Sequence, residues 1–241
     1  MPEVEIVMRG RWAELILNRP ERRNAINGPL GLGLSDALRK IDSDIQIQAV
    51  LLRGADGAFC SGLDLKEFNA ESPPEWLVRF GDIWRATHKA LFHLKKPLVV
   101  ALERFAINGG AALALAGDLM IVGRESFLQV GEVRQGMAAP YNMAWLRLRH
   151  SAAVTARLTL TGRRFYGAEL VGMGVAYAAP KEGSVVAEAV ALVEELVEYP
   201  DQALERIKTT MRAYDDESAD AWFDRATQAT TGGGSPPRAV T

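Results

Sequence analysis

The sequence of 241 residues has one cysteine, three histidines and almost no net charge. A lone Cys60 leaves no intrachain disulfide framework and no Cys-based zinc site, which fits a reducing compartment and sets the expectation of a cytoplasmic protein. Lys and Arg number 28 against 30 Asp and Glu, a formal charge of -2. The chain therefore projects no positive field of the kind that phosphate-backbone binding needs, and nucleic acid is set aside as a partner. No apolar run reaches the roughly 18 residues that a membrane-spanning helix requires. The N-terminal Met-Pro-Glu-Val-Glu lacks a basic stretch followed by an apolar one, so neither secretion nor a membrane is expected. There is no G-x-x-x-x-G-K-[ST] phosphate loop. Gly28, Gly31 and Gly33 run in the order G-x-x-G-x-G with no strand leading into them, which reads as a turn into a helix rather than a dinucleotide loop. His88 and His93 are five apart, whereas two metal ligands on one helix face want a spacing of three or four. No base for Cys60 is identifiable, and it reads as a small buried hydrophobe.

What is present is an ordinary globular composition, 48% apolar, at a length that one large α/β domain can fill. Val4, Ile6 and Met8, then Ala13, Leu15 and Leu17, alternate with polar neighbours around Arg9-Gly10-Arg11, predicting an antiparallel strand pair. Leu30, Leu34, Leu38 and Ile41 follow helical spacing, and Ile47 to Leu52 reads as a buried strand. A helix is expected from about Pro74 to Leu94, a strand over Leu98 to Leu102, a small-residue helix over Ala111 to Ala116 and a strand over Leu119 to Val122. Helices are expected over Asn142 to Arg149 and Ser151 to Leu160, with Gly172 to Val175 a turn into a short strand. Three C-terminal helices follow, marked by Val185 to Leu196, by Leu204, Ile207 and Met211, and by Trp222, Phe223, Ala226 and Ala229. The tail Thr230 to Thr241 contains Gly-Gly-Gly-Ser-Pro-Pro and forms no regular element, so it is a mobile end or an arm ordered by a partner. Alternating β and α units with a helical tail argue for an α/β core.

Two segments carry chemistry, Ala49 to Leu65 and Pro97 to Asp118. In each a buried strand runs into a small-residue turn that opens a helix and leaves backbone N–H groups without partners. Two such turns converging on one oxygen would stabilise a developing oxyanion. The other reading is that Gly62, Gly109 and Gly110 only permit close packing, and the pattern alone does not choose.

Leu17 to Asn27 (LNRPERRNAIN), Ala58 to Leu65 (AFCSGLDL), the Asn108-Gly109-Gly110 turn with Asp118 after it, and Leu160 to Arg164 (LTGRR) together resemble the crotonase, or enoyl-CoA hydratase/isomerase, superfamily. The resemblance runs over residues 4–229. It implies a spiral of ββα units over 1–180, a helical trimerisation region over 181–229, a flexible tail over 230–241, and a homotrimer or dimer of trimers. It also implies an acyl-CoA thioester substrate, coenzyme A entering as part of it with no separate cofactor and no metal. The thioester carbonyl is expected to accept hydrogen bonds from the N–H groups of Ser61 and Gly109. The nucleotide is expected near Arg22, Arg23 and Ala25 and the backbone of Leu63, Asp64 and Leu65. Lys66 reads equally as a phosphate partner or a solvated surface charge.

Enoyl-CoA hydratases of this family hold water between two glutamates. The second is retained here as Glu132, while the first aligns with Ala112. Asn108 and Arg104 also stand where the family often has glycine, and Ser235-Pro-Pro-Arg238 replaces its usual ending. Losing one positioned acid or base costs about 10²- to 10⁴-fold, which weakens two-glutamate hydration. One carboxylate suffices to move a proton from C2 to C4 of a 3-enoyl-CoA, so Glu132 as a shuttle is the favoured expectation, with a raised pKa in an apolar pocket; the alternatives are a hydratase with an atypical second acid/base group, another crotonase-type reaction such as decarboxylation or thioester hydrolysis, or a catalytically silent CoA-binding subunit. The alternative places Glu132 at the surface, capping or pairing with Arg134. Gly136 to Trp145 is expected to line and narrow the acyl pocket, with a polar contact from Tyr141 or Asn142 and a packing role favoured for Tyr141.

Overall fold

The computed structural model describes residues 2–212 together with 220, 221, 223, 224 and 227. The chain opens with the antiparallel pair β1 (Val4–Arg9) and β2 (Trp12–Leu17), in register from Val4 opposite Leu17 to Arg9 opposite Trp12. Asn27 caps the next helix, accepting from Leu30 N–H, and Pro29 in the first turn suits α1 (Gly28–Ser43). β3 (Ala49–Gly54) lies two residues later than expected, because β2 pairs with it from Trp12–Ala49 to Leu17–Gly54 while Ile47 still closes a turn on Asp44. A four-residue α2 (Leu65–Phe68) follows. The single helix expected from Pro74 divides into a 3-10 turn, Glu75–Arg79, and α3 (Phe80–His93).

β4 (Leu98–Leu102) stands where the sequence places it, and β5 (Phe105–Ile107), α4 (Gly109–Leu115), β6 (Leu119–Val122) and β7 (Phe127–Gln129) follow. Then come α5 (Pro140–Arg149), α6 (Ala152–Thr161), β8 (Arg164–Tyr166), α7 (Gly167–Gly172), α8 (Val185–Val197) and α9 (Ala203–Arg212). The segment Gly172 to Val175 ends α7 rather than opening a strand, and only a single bridge, Ile121 to Ala178, follows it. Trp222, Ala226, Ala229 and the tail from Thr230 lie outside the described residues, while Phe223 is helical and buried.

The main sheet has the order β1-β2-β3-β4-β6, parallel from β2 onward, and a second sheet has the order β5-β7-β8. Each turn of the spiral puts one strand in the large sheet, a short one in the small sheet, and then a helix. After β3 the short strand shrinks to one bridge, Cys60 to Ala106. β4 is buried at every residue, as a parallel strand covered on both faces must be. Leu15, Val50, Leu98 and Val100 face the core shared with α1 and α3, whereas Trp12, Leu51, Val99 and Ile121 face Val185, Ala189 and Val193 of α8. α8 therefore covers the sheet.

Candidate active site

The turns after β3 and β5 come together at a single parallel bridge, Cys60 to Ala106. Cys60 N–H donates to Phe105 O at 3.1 Å, and Ile107 N–H to Cys60 O at 3.1 Å. Gly62 has φ +92°, and a Cβ on it would stand 2.9 Å from Ile107 O; one on Gly110 would stand 2.6 Å from Cys60 O. Close approach therefore requires both glycines. A Cβ on Gly109 meets the end of the Ile26 side chain at 3.0 Å, so backbone crowding does not explain that residue.

One expected donor is already engaged within the chain. Ser61 N–H is taken by Arg23 O at 3.1 Å, so it has no hydrogen left for a ligand. Leu63 stands in its place. Ile26 N–H donates to Gly62 O at 2.7 Å and Asp64 N–H to Ile26 O at 2.8 Å, a parallel bridge that turns the Leu63 N–H to the opposite side. The Gly109 N–H belongs to the first residue of α4 and has no partner within the helix. Among the described residues neither N–H meets an acceptor, and both residues line one cavity of about 460 Å³. Two fixed donors in such a space suit an oxygen that gains negative charge.

The cavity wall is largely apolar, including Leu63, Phe68, Phe80, Trp84, Ala112 and Met137. Glu132 opens a 3-10 turn after β7 and is only 7% exposed, so the surface reading of this side chain is excluded. Asn142 Nδ2 donates to its Oε1 at 2.8 Å, while Oε2 is buried with no partner among the described residues. Burial disfavours the charged form and outweighs the bonds from its own backbone and from Asn142, so the carboxyl is pushed up to about 7. Such a group takes and returns a proton near neutrality. Ala112, fully buried on α4, adds no titratable group, and among the described lining residues the only other one is Tyr141. Its hydroxyl lies 3.0 Å from Thr227 Oγ1 and its ring stacks on His88, consistent with the packing role. Cys60 is fully buried against Gly110 and its thiol is pushed up to about 12 by burial, which leaves it unreactive.

The residues expected to meet the nucleotide divide into two groups. Asp64 accepts from Arg22 Nη2 and Glu67 N–H on Oδ1, and from Arg22 Nε and Arg19 Nη2 on Oδ2. Burial would raise this carboxyl, but the bonds from Arg22, Glu67 N–H and Arg19 outweigh it and hold it at about 2. Arg22 and Asp64 thus neutralise each other and tie the Pro20–Arg22 turn to α2, which corrects the expectation that Arg22 is an available cation. Ala25 is buried, its carbonyl taken by Arg19 Nη1 at 2.6 Å. Arg23 and Lys66 are exposed, and neither side chain has a partner among the described residues. Leu63 and Leu65 line the cavity beside them. No sequence signal distinguished Leu63 from Ser61, because the choice is made by pairing with Arg23 and Ile26 from far upstream.

Residues 10–229 match the family described as enoyl-CoA hydratase/isomerase. The 1,2-epoxyphenylacetyl-CoA isomerase of Escherichia coli is 27% identical over 214 residues, 87% of this chain and 82% of that protein. The carnitinyl-CoA dehydratase of Proteus mirabilis is 28% identical over 213 residues, 87% of this chain and 80% of its own length. The crystal structure of an enoyl-CoA hydratase/isomerase from Mycobacterium paratuberculosis superposes with a TM-score of 0.84 at 25% identity, covering 95% of this chain and 92% of that one. The relatives carry names for different reactions, while fold, motifs and cavity agree: the chain belongs to the enoyl-CoA hydratase/isomerase, or crotonase, family.

Proposed function

We propose that this enzyme moves a double bond in an acyl-CoA thioester, converting 3-enoyl-CoA to 2-enoyl-CoA with Glu132 as the single acid/base. The observation that carries the reading is that Glu132 is the only carboxylate among the described residues of the cavity, with Ala112 where hydratases of the family have a second. The thioester oxygen accepts from Leu63 N–H and Gly109 N–H. Glu132 Oε2 removes a C2 proton, the electron pair spreads as a dienolate over the oxygen, C2 and C4, and the same carboxyl returns the proton at C4. A carboxyl poised near 7 suits both halves, being basic enough to accept the proton and acidic enough to return it. Arg23 and Lys66 are the cations assigned to the coenzyme A phosphates. The same reading carries the expectation of a cytoplasmic homotrimer or dimer of trimers. Among the described residues no helix is long and apolar enough to cross a membrane.

The test is to offer purified protein 3-enoyl-CoA and 2-enoyl-CoA separately and follow the conjugated absorbance. Appearance of absorbance from the 3-enoyl thioester supports isomerisation. Its loss from the 2-enoyl thioester, with the 3-enoyl untouched, assigns hydration instead.

A further inference from the structure

We propose that Asn142 is a positioning residue that holds the Glu132 carboxyl in register with the Asn108–Gly109 turn, leaving Oε2 as the one oxygen that exchanges a proton. The proposal rests on the isomerase reading only for the proton's destination. Asn142 is 1% exposed and sits in the first turn of α5. That helix is aimed by Ala139, in the left-handed region at φ 49°, and by Pro140 at its start. Asn142 Nδ2 donates to Glu132 Oε1 at 2.8 Å and to Asn108 O at 3.0 Å. The Asn108 carbonyl accepts only, as does the Glu132 carboxylate, so the amide is fixed with its NH₂ towards them; reversed, it would set oxygen against oxygen.

Asn108 closes the arrangement from the other side. Its Oδ1 accepts from Gly131 N–H at 2.8 Å, directly before Glu132, and its backbone is held at φ 51° and ψ -112°, a conformation that L residues rarely adopt. Three hydrogen bonds through two asparagines thus join the segment carrying the acid/base to the turn carrying the Gly109 donor. The join matters because proton transfer requires the carboxyl within hydrogen-bond reach of the carbon-bound proton, and a displacement of about 1 Å can cost roughly 10²-fold. Without it, a glutamate beside a cavity of about 460 Å³ is free to take other rotamers.

The charges around Glu132 isolate the effect. α4 presents Ala112 and α3 presents Trp84 to the cavity, while His88, packed against Trp84 and Tyr141, does not line it and is kept neutral by burial. α5 presents Tyr141, bonded to Thr227; α6 carries one charged residue, the exposed Arg157, whose charge acts on Glu169, and Arg134 of the turn itself packs at Gly162. No ion pair among the described residues reaches Glu132, so the Asn142 amide is the one side chain there that opposes its desolvation.

Asn142→Ala and the isosteric Asn142→Asp test the assignment, with ¹³C NMR of the glutamate carboxyls, the Glu132 signal identified by its loss in Glu132→Gln. The expected result is an upward shift of the Glu132 midpoint in both variants, larger in Asn142→Asp, where a second carboxylate is added. With 3-enoyl-CoA as probe, kcat is expected to fall about 10- to 100-fold while KM stays within about threefold. An unmoved midpoint in both variants, or a raised KM with kcat intact, overturns the proposal. Should Asn142→Ala not fold, Asn142→Asp carries the same measurement. If the wild type leaves 3-enoyl-CoA unchanged, the isomerase reading fails by itself and the NMR midpoint still decides the role of Asn142.

Discussion

Glu132 is placed for chemistry at the expense of stability, and the size of that expense follows from its surroundings. The carboxyl is raised from an ordinary 4.5 to about 7 by burial, with one neutral amide as its side-chain partner. At about 1.36 kcal/mol per tenfold change in proton affinity, ionising it in the folded state costs about 3 kcal/mol more than ionising it in the unfolded chain. Because the folded value is the higher one, stability is full below pH 4.5 and is lost as pH rises through about 7. Glu132→Gln removes the ionisation while keeping an acceptor for Asn142 Nδ2. The variant is therefore expected to be about 3 kcal/mol more stable than wild type at pH 8.5, and less than about 1 kcal/mol more stable at pH 5. Urea unfolding of both proteins at one protein concentration, across pH 5 to 8.5, measures the difference and cancels the other titrating groups. A difference that stays flat over this range, or a variant less stable than wild type at pH 8.5, refutes the claim that Glu132 is buried and unpaired.

Other outcomes are fixed by neighbouring residues. Ala112→Glu places a second carboxylate at the cavity wall; the Glu132 midpoint is expected to rise above about 7, and loss of conjugated absorbance from 2-enoyl-CoA is expected to appear. Asp64→Asn leaves Arg22 facing a neutral amide while Arg19 keeps Glu3 and Glu67; a carboxyl lowered from 3.8 to about 2 contributes about 2 kcal/mol, and a loss of roughly that size is expected in urea unfolding at pH 7. That contribution belongs to a lowered carboxyl, so in the wild type it is present above about pH 4 and disappears as pH falls towards about 2, which acid unfolding of the two proteins checks.

The sequence showed the long elements because their periodicity is visible in a single window. β4 and β6 lie where continuous apolar runs stand, and α8 follows its Val and Ala spacing. The three-residue strands β5, β7 and β8 were not legible, since three residues show no alternation and their pairing joins residues as distant as Leu128 and Phe165. The same limit applied to the site. Glu132 and the Gly109 turn are local features and were readable as a motif. The loss of the Ser61 N–H to Arg23, and of the Arg22 charge to Asp64 some 42 residues away, depends on what the spiral brings alongside. The positive φ values at Arg104 and Asn108 explain why glycine is frequent at those places in the family.

The most direct test of the central claim is the turnover of 3-enoyl-CoA by wild type and Glu132→Gln at pH 8, with coenzyme A ester binding measured in parallel. A single-carboxylate isomerase forms the conjugated 2-enoyl product, loses at least about 10²-fold in kcat on substitution, and binds the ester unchanged. Equal turnover by the two proteins would contradict it.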